Sequence, residues 1–167
     1  MLRNFCAFVF FCAVGGIAVA QDPQVTFYGG GRPWTAALPG AKNSAFDGAV
    51  FRDAHRLAYM RYGRFLTLKL PAGSYHFSAS TKYDKPDGSP TLELQMVAGQ
   101  HYFVRLSQND GVADAVAWAR FDHGRIEQVS CQIAQKEAGK MRPIDAKYVS
   151  GDTLSQAVDG WKLPTCP

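Results

Sequence analysis

The sequence lacks most of the patterns that mark an enzyme or a nucleic-acid-binding protein. No serine lies in a G-x-S-x-G motif, and there is no C-x-x-C pair or zinc-like spacing of cysteine and histidine. The 18 lysines and arginines outnumber the 14 acidic residues, but they are scattered along the chain and form no basic run. A formal net charge of +4 in that distribution argues against nucleic acid as a partner, and nothing predicts a cofactor.

Long hydrophobic runs are absent after residue 20, so no membrane-spanning helix is predicted there. The first 20 residues combine Arg3, an apolar run over Phe5–Val14 and an A-x-A pattern that ends at Ala20. These features predict a secretory signal peptide that is cleaved after Ala20. We therefore expect a periplasmic or secreted protein whose remaining chain is long enough for one domain.

Cysteine is scarce, with only four in the chain. Cys6 and Cys12 would leave with the signal peptide, and Cys131 and Cys166 would remain. An oxidising compartment favours their pairing. The sequence thus predicts a Cys131–Cys166 disulfide that ties the C-terminal tail to the domain, with a stabilisation of roughly 3–4 kcal/mol.

Alternating apolar and polar residues dominate the chain up to residue 130. In the stretch RFLTLKL, for example, Leu66, Leu68 and Leu70 share one face, and Thr67 and Lys69 share the other. Similar short runs recur every 8–12 residues, which predicts an all-β, antiparallel β-sandwich of about seven to nine strands. The predicted strands include residues 24–28, 64–70, 74–80, 92–96, 101–107, 112–121 and 125–132.

Helical patterns appear only near the C-terminus, where one or two short helices are predicted. The first covers residues 133–141. The second covers residues 152–158, with Asp152 as its N-cap. Leu154, Val158 and Trp161 would then form one face that docks on a sheet.

Two similar stretches, LKLPAGSYHF at 68–77 and LQMVAGQHYF at 94–103, are predicted to be hairpins. Pro71 suits the first central position of a turn, and Gly73 would supply a left-handed conformation that lets the chain enter the next strand. The second stretch has the same Ala-Gly pair at Ala98-Gly99 without the proline.

These stretches also carry a family resemblance. The run FRDAHRLAYMRYGRFLTLKLPAGSYHFSAS at 51–80, followed by an L-x-L…A-G-x-x-Y-F-V-R pattern, resembles the DUF2846 family of small exported bacterial domains, which are similar to PEGA-type and prealbumin-like β-sandwiches. The matching residues are Gly63, Leu68, Leu70, Pro71, Gly73, Tyr75, Leu92, Leu94, Ala98, Gly99, Tyr102, Phe103, Val104 and Arg105. One departure is Asp53-Ala54, where the family usually has Asp-Gly.

The resemblance covers about residues 48–145 and implies an exported sandwich, and the family brings no catalytic residues to carry over to this chain. It divides the remaining chain into a first strand with a Gly/Pro-rich loop at 21–47 and a C-terminal tail with a short helix at 146–167. We expect the tail to pack on the domain.

Two histidines and five aromatic residues are the candidates for a site. His76 and His101 each follow one of the predicted hairpin turns, and adjacent hairpins would bring them together as a metal or acid–base pair of a small hydrolase. The aromatic residues could form a carbohydrate- or peptide-binding platform, or a second small core under the loop and the tail. They are Tyr28, Trp34, Tyr62, Phe103 and Trp161.

The leading interpretation is a non-enzymatic binding or scaffolding sandwich of the cell envelope. Its partner would be an envelope protein, a peptide or a glycan, and it would bind through an exposed sheet face or an edge strand.

Overall fold

The computed structural model describes residues 21–30, 46–81, 91–108, 124–160 and 162–166. Within these ranges the chain forms nine strands, two short α-helices and a three-residue 3-10 helix at Ala146–Tyr148, and the predicted all-β sandwich is confirmed. The elements are β1 (Gln24–Gly29), β2 (Gly48–Arg52), β3 (His55–Met60), β4 (Arg64–Lys69), β5 (Gly73–Ser80), β6 (Thr91–Met96), β7 (His101–Gln108), β8 (Gly124–Val129), α1 (Cys131–Ala138), β9 (Arg142–Pro143) and α2 (Gly151–Leu154).

Some sequence predictions lie outside the described residues. These are the signal peptide at 1–20, the loop at 31–45, the strand at 112–121, and the positions of Trp34 and Trp161.

The strands form two sheets. Sheet A has the order β8-β7-β1-β4-β9, and sheet B has the order β3-β2-β5-β6. Sheet B is antiparallel throughout, whereas sheet A is mixed because β1 runs parallel to β7 and β4 runs parallel to β9. The first strand therefore lies between two strands that come much later in the chain.

The main core lies between the two sheets and is built by the predicted alternation. In β4 to β7 the side chains expected to point inward all contact this core, while their neighbours in sequence point outward. The inward residues of these strands are Leu66, Leu68, Tyr75, Phe77, Ala79, Leu92, Leu94, Met96, Tyr102, Val104 and Leu106.

A second, smaller core covers the outer face of sheet A. Tyr28, Phe65 and Phe103 point outward from β1, β4 and β7, and they pack against α1 and against Leu163 of the C-terminal tail. The predicted disulfide is confirmed: Cys131 and Cys166 are bonded, with Cα atoms 5.6 Å apart, and the bond joins the tail to the start of α1.

The two stretches predicted to be hairpins are instead connections between the sheets, so that prediction was wrong. β4 belongs to sheet A and β5 to sheet B, and the connection from β6 to β7 crosses in the opposite direction. Gly99 has the left-handed φ of +75° that the turn requires, but Gly73 has no positive φ. A turn signal marks where a strand ends, but an arch between sheets uses the same residues as a hairpin within one.

The two helices differ from their predicted bounds. α1 begins two residues earlier than predicted because Ser130 is its N-cap, and it ends at Gly139. α2 has only four residues and is preceded by Ser150, so Asp152 is not its N-cap. Leu154 is 44% exposed and does not dock. Beyond the helix, Ala157 forms an isolated antiparallel bridge with Leu68 of β4.

The C-terminal segment also closes one side of the sandwich. The backbone N–H of Ser150 donates to the carbonyl of Leu57 on β3, and the N–H of Val158 donates to the carbonyl of Thr67 on β4, each at 2.9 Å. Strands β3 and β4 are thereby covered at their lateral edges. At the opposite side, the outermost strands of the described parts of the chain are β6 in sheet B and β8 in sheet A.

Candidate functional site: the free edge of β6

Strand β6 ends sheet B and is the strongest candidate for a binding site. It pairs with β5 in a regular antiparallel register from Ser78↔Thr91 to Gly73↔Met96. Among the residues that the structure describes, no strand pairs with its other side. An unpaired strand edge offers a row of backbone donors and acceptors to another chain.

The backbone geometry shows which residues of β6 face this free edge. The N–H of Asp53 donates to the carbonyl of His76 at 2.9 Å, so the backbone groups of His76 point toward β2. The pair His76↔Glu93 is therefore a non-hydrogen-bonded pair of the β5–β6 ladder. Backbone direction alternates along a strand, so the N–H and C=O groups of Thr91, Glu93 and Gln95 all point away from β5.

The side chains of these three residues are exposed on the outer face of sheet B. Between them, Leu94 and Met96 are buried in the main core and fix the strand in place. Natural edge strands are often protected by lysine, proline or a bulge. The sequence TLELQM has none of the three, and its pairing with β5 shows no register shift.

On the outer face of sheet B, His76 lies between two acidic side chains: Asp53 at the turn from β2 to β3, and Glu93 on β6. The Nδ1 atom of His76 is 3.8 Å from a carboxylate oxygen of Asp53, and Glu93 lies opposite His76 on β6. The hydroxyl of Ser74 donates to Glu93 at 3.3 Å. The side chains of His76 and Asp53 are 58% and 64% exposed, so both are open to solvent.

His101 lies elsewhere, on the outer face of sheet A. Its Nε2 is 2.8 Å from the hydroxyl of Thr26, which is in turn 2.7 Å from the hydroxyl of Thr67. The ring stacks on Phe103 at a centroid distance of 4.6 Å. Burial lowers the pKa of His101, so the neutral imidazole is the favoured form.

The structure does not bring His76 and His101 together. The two side chains point outward from different sheets, and stacked sheets are about 10 Å apart before the side chains are counted. A metal ion with nitrogen ligands at about 2 Å cannot bridge that separation. Within the described ranges, no group of three histidine, cysteine or acidic residues could hold a metal ion.

The predicted aromatic platform is also dispersed. Tyr28 and Phe103 are buried in the second core and are not available to a platform, whereas Tyr62 is 54% exposed. The interpretation of these residues as a second core under the tail is correct for Tyr28 and Phe103.

Sequence reasoning named an edge strand as a possible binding surface but did not single out Thr91, Glu93 or Gln95. The alternation of LELQM shows that these side chains point outward. The position of a strand within its sheet depends on pairing between residues far apart in the sequence. A local pattern of apolar and polar residues does not reveal that pairing.

Comparisons with protein-family models, with curated proteins and with solved structures found no match to this chain. A search of the described residues found no helix with the length and apolar character needed to cross a membrane.

Proposed function

We propose that the chain is an exported, non-enzymatic β-sandwich that binds an extended, cationic segment of a cell-envelope protein at the free edge of β6. The observation that carries this proposal is the row of backbone N–H and C=O groups of Thr91, Glu93 and Gln95 that point away from β5. The signal-like first 20 residues and the disulfide support an exported, periplasmic or secreted location. The resemblance to DUF2846 domains implies an exported sandwich and bears only on that part of the proposal.

Binding would proceed by addition of a strand to sheet B. The incoming segment would exchange backbone hydrogen bonds with the three outward-facing residues, and these bonds supply affinity for any extended chain. Selectivity would come from cross-strand side-chain pairs, each worth roughly 0.2–1 kcal/mol. A lysine or arginine beside Glu93 is favoured, while an acidic residue there is repelled.

The test uses two blocked hexapeptides, one of alternating lysine and valine and one of alternating glutamate and valine. We expect calorimetry to show binding of the lysine peptide and much weaker binding of the glutamate peptide. Glu93→Lys should reverse this preference, because the charge at the middle of the edge changes sign.

A proline variant separates strand addition from simple charge attraction. Gln95→Pro removes a backbone N–H that points to the free edge, a position at which strands tolerate proline. It keeps Glu93 and should weaken binding of the lysine peptide by about tenfold or more. The matched control, Gln95→Ala, should bind like the wild type. Equal binding by the proline and alanine variants would rule out strand addition at β6.

A further inference from the structure

A second surface, on the opposite side of the sandwich, has the composition of a ligand site. An open cleft of about 1080 Å³ lies beside α1, over the outer face of sheet A. Its size is close to the upper end of pockets that bind small molecules. The residues that matter for its chemistry are Gly30, Tyr62, Arg105, Ile133, Lys136 and Lys140.

The floor of the cleft is a fixed polar network centred on Arg105. Its guanidinium donates to Glu127 through Nε, at 2.7 Å, and through Nη2, and it donates to Glu137 through Nη1 at 2.7 Å. The buried hydroxyl of Tyr28 donates to the second oxygen of Glu137 at 2.8 Å. Burial and the nearby Glu137 raise the pKa of Tyr28, so this hydroxyl stays protonated.

The network leaves donors available. A guanidinium has five N–H groups, and three of those of Arg105 donate to Glu127 and Glu137. The side chain is 28% exposed, so it is accessible from the cleft. The remaining N–H groups, one on Nη1 and one on Nη2, have no acceptor among the described residues, and such groups suit a carboxylate of a ligand.

The charge of the cleft is positive. The two carboxylates of the network balance Arg105 and Arg125, which itself pairs with Glu127 at 3.2 Å. Lys136 and Lys140 add two cations at the rim, and neither forms an ion pair within the described parts of the chain.

The walls of the cleft are apolar. Of the four large apolar side chains that are exposed in the described residues, Tyr62 and Ile133 line this cleft, at 54% and 44% exposure. Gly30 allows the backbone to approach the floor closely, because an added Cβ would lie 2.8 Å from the ring of Tyr28 and 3.1 Å from Cγ of Arg105.

We propose that this cleft binds a carboxylate that carries an apolar group. Lys136, Lys140 and the unused N–H groups of Arg105 would hold the carboxylate, and Tyr62 and Ile133 would contact the apolar part. A fatty acid and the free C-terminus of an apolar peptide share this chemistry. The proposal is independent of strand addition at β6, because the cleft lies on the other sheet.

The test compares a carboxylate with its neutral counterpart for each of the two ligand classes, the fatty acid and the peptide C-terminus. The probes are decanoate and decanol, and N-acetyl-Leu-Phe with a free carboxylate and the same dipeptide as its amide. Calorimetry should detect at least one carboxylate, bound about tenfold or more tightly than its neutral counterpart. Binding of decanoate alone indicates a lipid-derived ligand, and binding of the dipeptide alone indicates a peptide C-terminus.

Paired lysine variants locate the site. Lys136→Gln/Lys140→Gln should weaken binding of the carboxylate by about tenfold, while Lys69→Gln/Lys162→Gln, which removes the same charge from exposed positions outside the cleft, should leave it unchanged. Equal affinity for charged and neutral probes, equal effects of the two double variants, or no binding of either carboxylate would each overturn the proposal. Gln95→Pro should not affect this binding.

Discussion

His101 is partly buried against Phe103, with its Nε2 facing the hydroxyl of Thr26, and it should make stability depend on pH. Burial lowers its pKa in the folded state below the usual value of about 6.5. The unfolded chain therefore binds the proton first, and stability is lost as pH falls from about 6.5 to the lowered folded pKa. Above about pH 6.5, His101 is neutral in both the folded and the unfolded chain, and its titration does not lower the stability of the fold.

We expect His101→Gln, which can still bond to Thr26 but cannot titrate, to lose less stability than the wild type between pH 7.5 and pH 5. Urea unfolding at both pH values measures the difference. Gln95→Ala is the control, because this exposed position carries no titratable group, and it should leave the pH dependence of the wild type unchanged. An identical pH dependence in His101→Gln and the wild type would contradict this account.

The hydroxyl of Tyr28 gives a second prediction at the scale of the residue. Tyr28→Phe removes the bond to Glu137 but keeps the ring in the second core. Because the acceptor is a carboxylate, the free energy of unfolding should fall by roughly 1.5–3 kcal/mol. Tyr62→Phe, at an exposed position, should change it by less than about 0.5 kcal/mol. Equal effects in urea unfolding would show that the bond from Tyr28 to Glu137 adds no stability.

Helix α1 illustrates how an element depends on its attachments. It has eight residues, fewer than an isolated helix needs, and it buries only Ala134 and Ala138. The disulfide from Cys131 to Cys166 holds its first residue to the tail, and Glu137 holds its last turn to Arg105.

Cys131→Ser/Cys166→Ser should therefore lower the free energy of unfolding by about 4 kcal/mol, the chain-entropy value for a loop of this length. Hydrogen exchange should show faster opening of α1, while amides in the centre of β1 and β7 remain protected. A reduced wild-type protein should behave like the double variant. Unchanged exchange in α1 would mean that the second core alone holds the helix.

The elements also show how far the sequence determines this fold. Period-two alternation correctly predicts which side chains of β4 to β7 enter the core, because it depends only on neighbouring residues. It cannot assign strands to sheets, so LKLPAGSYHF was predicted to be a hairpin rather than an arch. The bridge between Ala157 and Leu68 was missed for a similar reason, since it is a long-range contact.

The candidate site was predictable only in outline. The polar, outward position of Glu93 follows from alternation. Its place on a free edge follows from the strand order, and the separation of His76 from His101 follows from their placement on different sheets. Both properties depend on how distant strands pair in the tertiary structure. They cannot be predicted from patterns of neighbouring residues in a single sequence.

At the scale of the whole molecule, the two outer faces differ in charge and in edge protection. Sheet B presents Asp53 and Glu93 beside an open strand, whereas sheet A presents Lys136 and Lys140 beside α1. The C-terminal segment covers the edges of β3 and β4 and leaves β6 uncovered within the described ranges. The two proposed sites could therefore be occupied at the same time.

Amide hydrogen exchange along β6 tests the central claim most directly. In the free protein, the amides of Thr91, Glu93 and Gln95 should exchange fast, while those of Leu92 and Leu94, bonded to β5, should be protected. Saturation with the alternating lysine–valine peptide should slow exchange at Thr91, Glu93 and Gln95 and leave the other two unchanged. Peptide binding without new protection at these three amides would contradict strand addition at β6.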